Sequence, residues 1–243
     1  MVIAVYDERE NLEELVRRIH AVLPAVASDW EILLVVEGTD GSKEIAERLS
    51  GELGRIRVMY APSPSGLGRA FRRGFDAVAD DADVVATMDA DLNHQPEELP
   101  RLVARRRSTN ADIVIGSRFI KGSRVDGTPL WKRGLSGILN ILMRHLYGLA
   151  IQDKTSGYRV YRADALRRIS FESPNFAFMP EILLDAARQR MRMVEEPIHF
   201  VYRTRGTSKM RIFQTSGSYV KLLLAHRRRV RGGKASEKAA AAP

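Results

Sequence analysis

Asp89-Ala90-Asp91 follows directly on the apolar run Val84-Val85-Ala86-Thr87-Met88. Side chains two apart on an extended segment point the same way, so both carboxylates face one point just past a strand end, where open α/β sheets hold their ligands. Hard oxygen ligands there suit Mg²⁺ or Mn²⁺, which keep open positions for water and substrate phosphates. The implied partner is a diphosphate. Aspartate also favours helix caps and turns, so the elements around the pair must decide between the two uses.

Short β-rich runs recur at 2–6, 31–36, 56–60, 84–88 and 112–116, with helix-like segments between them. That alternation predicts βαβ units and an α/β fold with a mostly parallel central sheet flanked by helices. Gly66-Leu67-Gly68 opens a helical stretch, but Phe71 stands where a dinucleotide fingerprint needs its third glycine, which argues against a Rossmann dehydrogenase. Beyond Arg118 the alternation stops. At 131–149, Leu135, Ile138, Leu139, Leu142, Leu146 and Leu149 follow helical spacing, and Ile141 and Met143 widen the apolar face. Such a helix either packs on the core or rests in lipid headgroups. A second amphipathic candidate, at 211–225, precedes His226-Arg227-Arg228-Arg229.

The 243 residues fit one domain, read as 1–226, followed by a basic tail at 227–243 that lacks a core pattern and is expected to be disordered. Net charge is +9, yet residues 203–243 hold eleven Lys or Arg against the single acid Glu237, so the body is close to balanced. A basic end points to an anionic membrane surface. A nucleic-acid-binding module is the alternative from another class, but it leaves Asp89 and Asp91 unexplained, and acids in the cleft repel a polyphosphate backbone. The absence of cysteine excludes disulfides and thiolate metal sites. No secretion signal is visible and no apolar run reaches 18 residues. The expectation is a cytoplasmic protein, peripheral on the cytoplasmic face of a membrane, with a separate membrane-anchoring protein left open.

Six local patterns stand in order: Tyr6-Asp7-Glu8, Glu37-Gly38-Thr39-Asp40-Gly41-Ser42, Asp89-Ala90-Asp91-Leu92-Asn93-His94, Gly116-Ser117-Arg118, Asp153-Lys154-Thr155-Ser156-Gly157-Tyr158-Arg159 and Arg203-Thr204-Arg205-Gly206-Thr207-Ser208-Lys209. Together they make the chain, from about residue 2 to about 225, resemble the family 2 glycosyltransferases of GT-A fold, and within them the dolichol-phosphate (polyprenyl-phosphate) mannose synthases. The resemblance implies that Asp89, Asp91 and the side-chain oxygen of Asn93 hold the metal, with the Ala90 backbone against the nucleotide. It places Tyr6 and Glu8, with the backbone of Ala4, in the loop that receives nucleoside. Arg118 then forks onto a phosphate through parallel N–H bonds, and Arg203 and Lys209 close over the phosphates as a lid. Asp153, Arg159 and Glu181 match the acceptor side, although the same positions suit buried ion pairs.

Two departures matter. Val36-Glu37 stands where the family usually shows two adjacent aspartates, and Ala4 where it usually shows proline. Glu37 keeps one carboxylate and Val35 its backbone groups, and one carboxylate can accept both N1–H and the exocyclic amine of guanine. The expected reaction is inverting transfer of a hexose, mannose from GDP-mannose, to a polyprenyl or dolichyl monophosphate with Mg²⁺ or Mn²⁺. The alternatives are a UDP-sugar donor and a hydroxyl acceptor, the latter needing Asp153 or Glu181 as base.

Overall fold

The computed structural model describes residues 1–202, so the expectations placed on Arg203, Lys209, the 211–225 helix and the 227–243 tail lie outside the described residues. The first five strands, β1 (Val2–Tyr6), β2 (Ile32–Glu37), β3 (Ile56–Ala61), β4 (Val84–Asp89) and β5 (Ile113–Ser117), fall on the runs read from the sequence. Between them run α1 (Arg9–Val22), α2 (Ser42–Leu53), α3 (Leu67–Asp76) and α4 (Leu99–Thr109). Beyond β5 come β6 (Arg124–Asp126), α5 (Leu130–Tyr147), β7 (Arg159–Arg162), α6 (Ala163–Arg168), α7 (Phe178–Arg188), β8 (Met193–Pro197) and β9 (His199–Val201).

The seven-stranded sheet has the order β3-β2-β1-β4-β7-β5-β8, and β6 pairs with β9 apart from it. All its neighbours are parallel except that β7 runs antiparallel to both β4 and β5. Strand alternation divides the core into two layers. Val2 and Ala4 join Phe71 of α3, Leu166 of α6 and Ile182 of α7 on one face. Ile3 and Val5 join Leu12 and Leu15 of α1, Leu49 of α2 and Leu102 of α4 on the other.

Strand direction decides where the site must lie. β1, β2 and β4 are parallel and in register (Tyr6 beside Glu37, Ala4 beside Asp89), so their carboxyl ends share one edge. Because β7 is antiparallel, with Arg159 beside Thr87, the loop leading into it reaches that same edge. β5 ends there too, since Ile115 pairs with Arg159. The chain order reverses between β2 and β4 on either side of β1, which is the switch point that opens a crevice in such sheets.

The entry to α3 depends on one small residue. A Cβ on Gly68 would collide with the Ser173 carbonyl oxygen and lie 3.1 Å from the Phe178 Cβ. The Gly68 N–H bonds the Pro174 carbonyl at 2.8 Å, so the backbones approach because a side chain is missing. Gly68→Ala should therefore lower stability by about 1–3 kcal/mol through overpacking. An unchanged urea midpoint would contradict this packing.

Candidate functional site

Asp89 is the last residue of β4. Its side chain is 29 % exposed, and one oxygen lies 3.4 Å from Nε2 of His94. Gly157 backs the same carboxylate: a Cβ there would strike Asp89 Oδ1 and sit 2.9 Å from Oδ2. The carboxylate is thus walled by a glycine and a histidine. His94 is itself fixed between Tyr158 and Phe200, with ring centroids at 5.3 and 5.2 Å.

The chain then turns through Leu92 at φ 58°. That turn lets Asp91 accept from the Asn93 N–H at 3.1 Å on one oxygen and from Asn93 Nδ2 at 2.7 Å on the other. Asn93 Oδ1 is left buried with no hydrogen-bond partner among the described residues. Buried amide oxygens are rarely orphaned. Two carboxylates and an unsatisfied amide oxygen form a hard-oxygen donor set that fits Mg²⁺ or Mn²⁺. Among the described residues no three His, Cys, Asp or Glu side chains group so as to hold a metal ion by themselves.

The residues expected around a nucleoside lie together: Tyr6, Glu8 and Glu37 stand at neighbouring strand ends, with Ala4 and Val35 buried in the strands and Ala90 just past β4. The Tyr6 ring is 39 % exposed and lies against Gly38, where a Cβ would be 3.4 Å from it. Glu8 accepts from Asn11 Nδ2 at 2.7 Å. Glu37 requires a correction. It is 3 % exposed, and one oxygen accepts from the Ser65 hydroxyl at 2.5 Å and Arg73 at 3.0 Å while the other accepts the Ser65 N–H at 2.9 Å. Its carboxylate fastens the loop after β3 to the end of β2, so it does not offer two idle oxygens to a guanine edge.

Arg118 and Asp153, named separately in the sequence, form one unit. Arg118 Nε and Nη2 fork onto the two Asp153 oxygens at 2.7 and 2.8 Å, its backbone N–H adds a third bond at 3.1 Å, and Nη2 also reaches the Thr155 hydroxyl at 2.8 Å. Asp153 has no exposed surface, whereas the Arg118 side chain is 17 % exposed. Burial alone would raise the Asp153 pKa; the charge and hydrogen bonds of Arg118, with the Thr155 N–H, outweigh it and hold the carboxyl below the usual aspartate range. Arg159 and Glu181 turn out to serve the backbone. Arg159, 1 % exposed, donates to the carbonyls of Ser156, Met179 and Lys154. Glu181 accepts the N–H groups of Glu172 and Ser173 at 3.0 and 2.8 Å.

His94, Gly157 and Thr155 carry no signal in the sequence beyond their motifs, and the contacts of Gly157 with Asp89 and of Thr155 with Arg118 link positions far apart in the chain. Glu195 was missed altogether. It stands on β8 and accepts the N–H groups of Gln152 and Asp153, and nothing near it in the sequence marks that use.

The buried pair makes a pH prediction. A carboxylate whose folded pKa is depressed contributes stability that is fully present above its unfolded pKa, about 3.9, and is lost as pH falls through the lower folded value. Arg118→Gln leaves Asp153 uncompensated and should cost about 3–5 kcal/mol at neutral pH. The difference in stability between the two proteins should narrow as pH falls below about 3.9, where the wild type loses this contribution and the variant's carboxyl is neutral. A difference that stays the same from neutral to acid pH would contradict the pairing.

Comparison with known proteins places the chain in a family. The model of glycosyl transferase family 2 matches residues 1–170. A polyprenol monophosphomannose synthase of Mycolicibacterium smegmatis is 38 % identical over 86 % of this chain and 80 % of its own length. An undecaprenyl-phosphate mannosyltransferase of Micrococcus luteus is 36 % identical over 86 % of each chain. The crystal structure of glucosyl-3-phosphoglycerate synthase from Mycobacterium tuberculosis superimposes with a TM-score of 0.68, covering 93 % of this chain and 76 % of that one at 18 % identity, which supports the GT-A architecture. The chain belongs to glycosyl transferase family 2 and is a glycosyltransferase.

Proposed function

We propose that this glycosyltransferase moves mannose from GDP-mannose to the phosphate of a polyprenyl or dolichyl monophosphate, with inversion. The observation that carries the reading is the oxygen set of Asp89, Asp91 and Asn93 at the switch-point edge, joined to Arg118 through His94, which lies 3.4 Å from Asp89, and Phe200, which packs on His94 and on the Arg118 guanidinium. The names of the two bacterial relatives support mannose and a polyprenyl phosphate. The three oxygen donors would hold a divalent cation, which when bound supplies charge stabilisation to a departing diphosphate.

The chain's own residues prepare the rest. Gly157 and His94 fix the direction of the Asp89 carboxylate, and the Tyr6 ring offers a half-exposed platform beside the β1 end. The Arg118 fork expected on a phosphate is turned onto Asp153 instead, with Nε and Nη2 spent on Asp153 and Thr155, so Arg118 is proposed to act on the phosphates through its fixed positive charge and not through a parallel pair of N–H bonds. Arg203 and Lys209 are proposed to bring further positive charge over the phosphates. As the acceptor phosphate oxygen bonds to the anomeric carbon, the bond from that carbon to the diphosphate oxygen breaks, so an α-linked donor gives a β-linked product.

A phosphate monoester is already largely dianionic at neutral pH, its second pKa being about 6, and needs no base. A hydroxyl acceptor would need one. Asp153 is fully buried in its ion pair and Glu181 is bound to two backbone N–H groups, so neither candidate base is free for that role. The arrangement therefore favours the phosphate acceptor.

For location, no described helix is long and apolar enough to cross a membrane. The outer face of α5 exposes Ile138, Ile141 and Leu142, more apolar surface than solvent normally meets on one helix. We place α5 in the headgroup layer of a cytoplasmic membrane face, aided by the basic 203–243 segment.

Three measurements test this reading. Incubation with a panel of nucleotide sugars, a polyprenyl phosphate and Mn²⁺ should yield a mannolipid from GDP-mannose; a glycolipid formed only from a UDP-sugar would overturn the donor. Asp91→Ala should lower turnover by the equivalent of several kcal/mol, and full turnover in metal-free buffer would refute the metal. Ile141→Glu should weaken cosedimentation with anionic vesicles, and undiminished pelleting would remove α5 from the interface.

A further inference from the structure

The backbone N–H groups of the loop from Gln152 to Thr155 are all taken by side-chain oxygens. Glu195 on β8 accepts from Gln152 at 2.8 Å and Asp153 at 2.9 Å. Asn140 on α5 accepts from Lys154 at 3.0 Å, and Asp153 itself accepts from Thr155 at 3.2 Å. The Asn140 contact is interior: Asn140 is 7 % exposed and Lys154 only 1 %. Lys154 is further held by its ammonium on the Ile151 carbonyl and by its own carbonyl on Arg159. It cannot shift without disturbing Asp153, its neighbour in the chain.

The two outside supports differ in what holds them. Glu195 stands on a strand hydrogen-bonded to β5. Asn140 stands on a helix whose opposite side carries Ile138 at 66 % and Ile141 at 53 % exposure, so the seating of that helix depends on what covers it. The working half of Asn140 is its oxygen, since Nδ2 is buried with no partner among the described residues.

We infer that Asn140 is a positioning residue: its carboxamide oxygen ties the seating of α5 to the loop that fixes Asp153 and, through Asp153, the Arg118 fork. The inference rests on the phosphate-binding reading of Arg118 given above. Loss of the oxygen leaves the Lys154 N–H buried and unsatisfied, which the loop relieves by moving toward water. Close packing carries that movement to Asp153, one peptide away. The interface helix and the phosphate-facing arginine are thereby joined by a single buried hydrogen bond.

The test is steady-state transfer from GDP-mannose to a short, water-soluble prenyl phosphate, so that membrane binding does not enter the measurement. Asn140→Leu should lower kcat/KM for this acceptor about tenfold, while the affinity for GDP with Mn²⁺, read by calorimetry, stays at the wild-type value. Asn140→Asp, which keeps an accepting oxygen but adds a buried carboxyl group, should restore part of the loss, and more of it at acid pH, where that carboxyl is neutral. Combined with Arg118→Lys, the joint loss should fall well short of the product of the single losses, because both act on one unit.

Losses that simply multiply, or a lowered thermal midpoint with wild-type kinetics, would overturn the inference. If Asn140→Leu does not fold, Asn140→Gln, whose oxygen is displaced by one methylene, takes its place in the same comparison. A wild type that transfers to no prenyl phosphate would overturn the acceptor reading and this inference with it. A wild type that transfers while the Asn140 variants match it overturns the positioning role alone.

Discussion

A carboxylate with no exposed surface must be compensated inside the protein, and at Asp153 that requirement organises the edge of the sheet where the strand ends meet. Its two oxygens absorb the Arg118 fork, the Arg118 N–H and the Thr155 N–H. Its backbone is in turn anchored to Glu195. These bonds fix the loop entering β7, and that loop carries Gly157 against Asp89. Charge neutralisation on one side of the crevice therefore sets the carboxylate geometry on the other. In a low-dielectric interior such a network is rigid when complete and costly when broken.

The fold supplies the convergence and the side chains supply the chemistry. Parallel β1, β2 and β4 deliver their carboxyl ends to one edge, while antiparallel β7 returns the chain to it. Neither arrangement alone would bring an acidic strand end within reach of a buried arginine pair. The result is a continuous line of contacts along that edge, from the Asp89 carboxylate through His94 and Phe200 to the Arg118 guanidinium.

Much of this was legible in the sequence. The first five strands could be placed to within two residues, β1, β2, β4 and β5 because strands buried on both faces read as short apolar runs, and 131–149 was legible as a helix from its leucine spacing. β7 was not, since Arg-Val-Tyr-Arg carries a charge at both ends, and its Arg159 is buried only because three backbone carbonyls surround it. Arg118 and Asp153 were both picked out, yet 35 residues separate them and no local pattern signals their pairing. The contacts of Glu37 were hidden for the same reason. A carboxylate at a strand end looks available until Ser65 and Arg73, 28 and 36 residues later, are seen to occupy it.

The central claim is that Asp89, Asp91 and Asn93 form the seat of a divalent cation at the switch point. The most direct measurement is uptake of Mn²⁺ in the presence of GDP, followed by the electron paramagnetic resonance signal of the free ion, in the wild type, Asp89→Asn and Asn93→Leu. The wild type should remove Mn²⁺ from solution stoichiometrically, and each variant should bind at least about tenfold more weakly, as expected when a metal ligand or its orienting group is lost. Equal uptake by all three proteins would contradict the account.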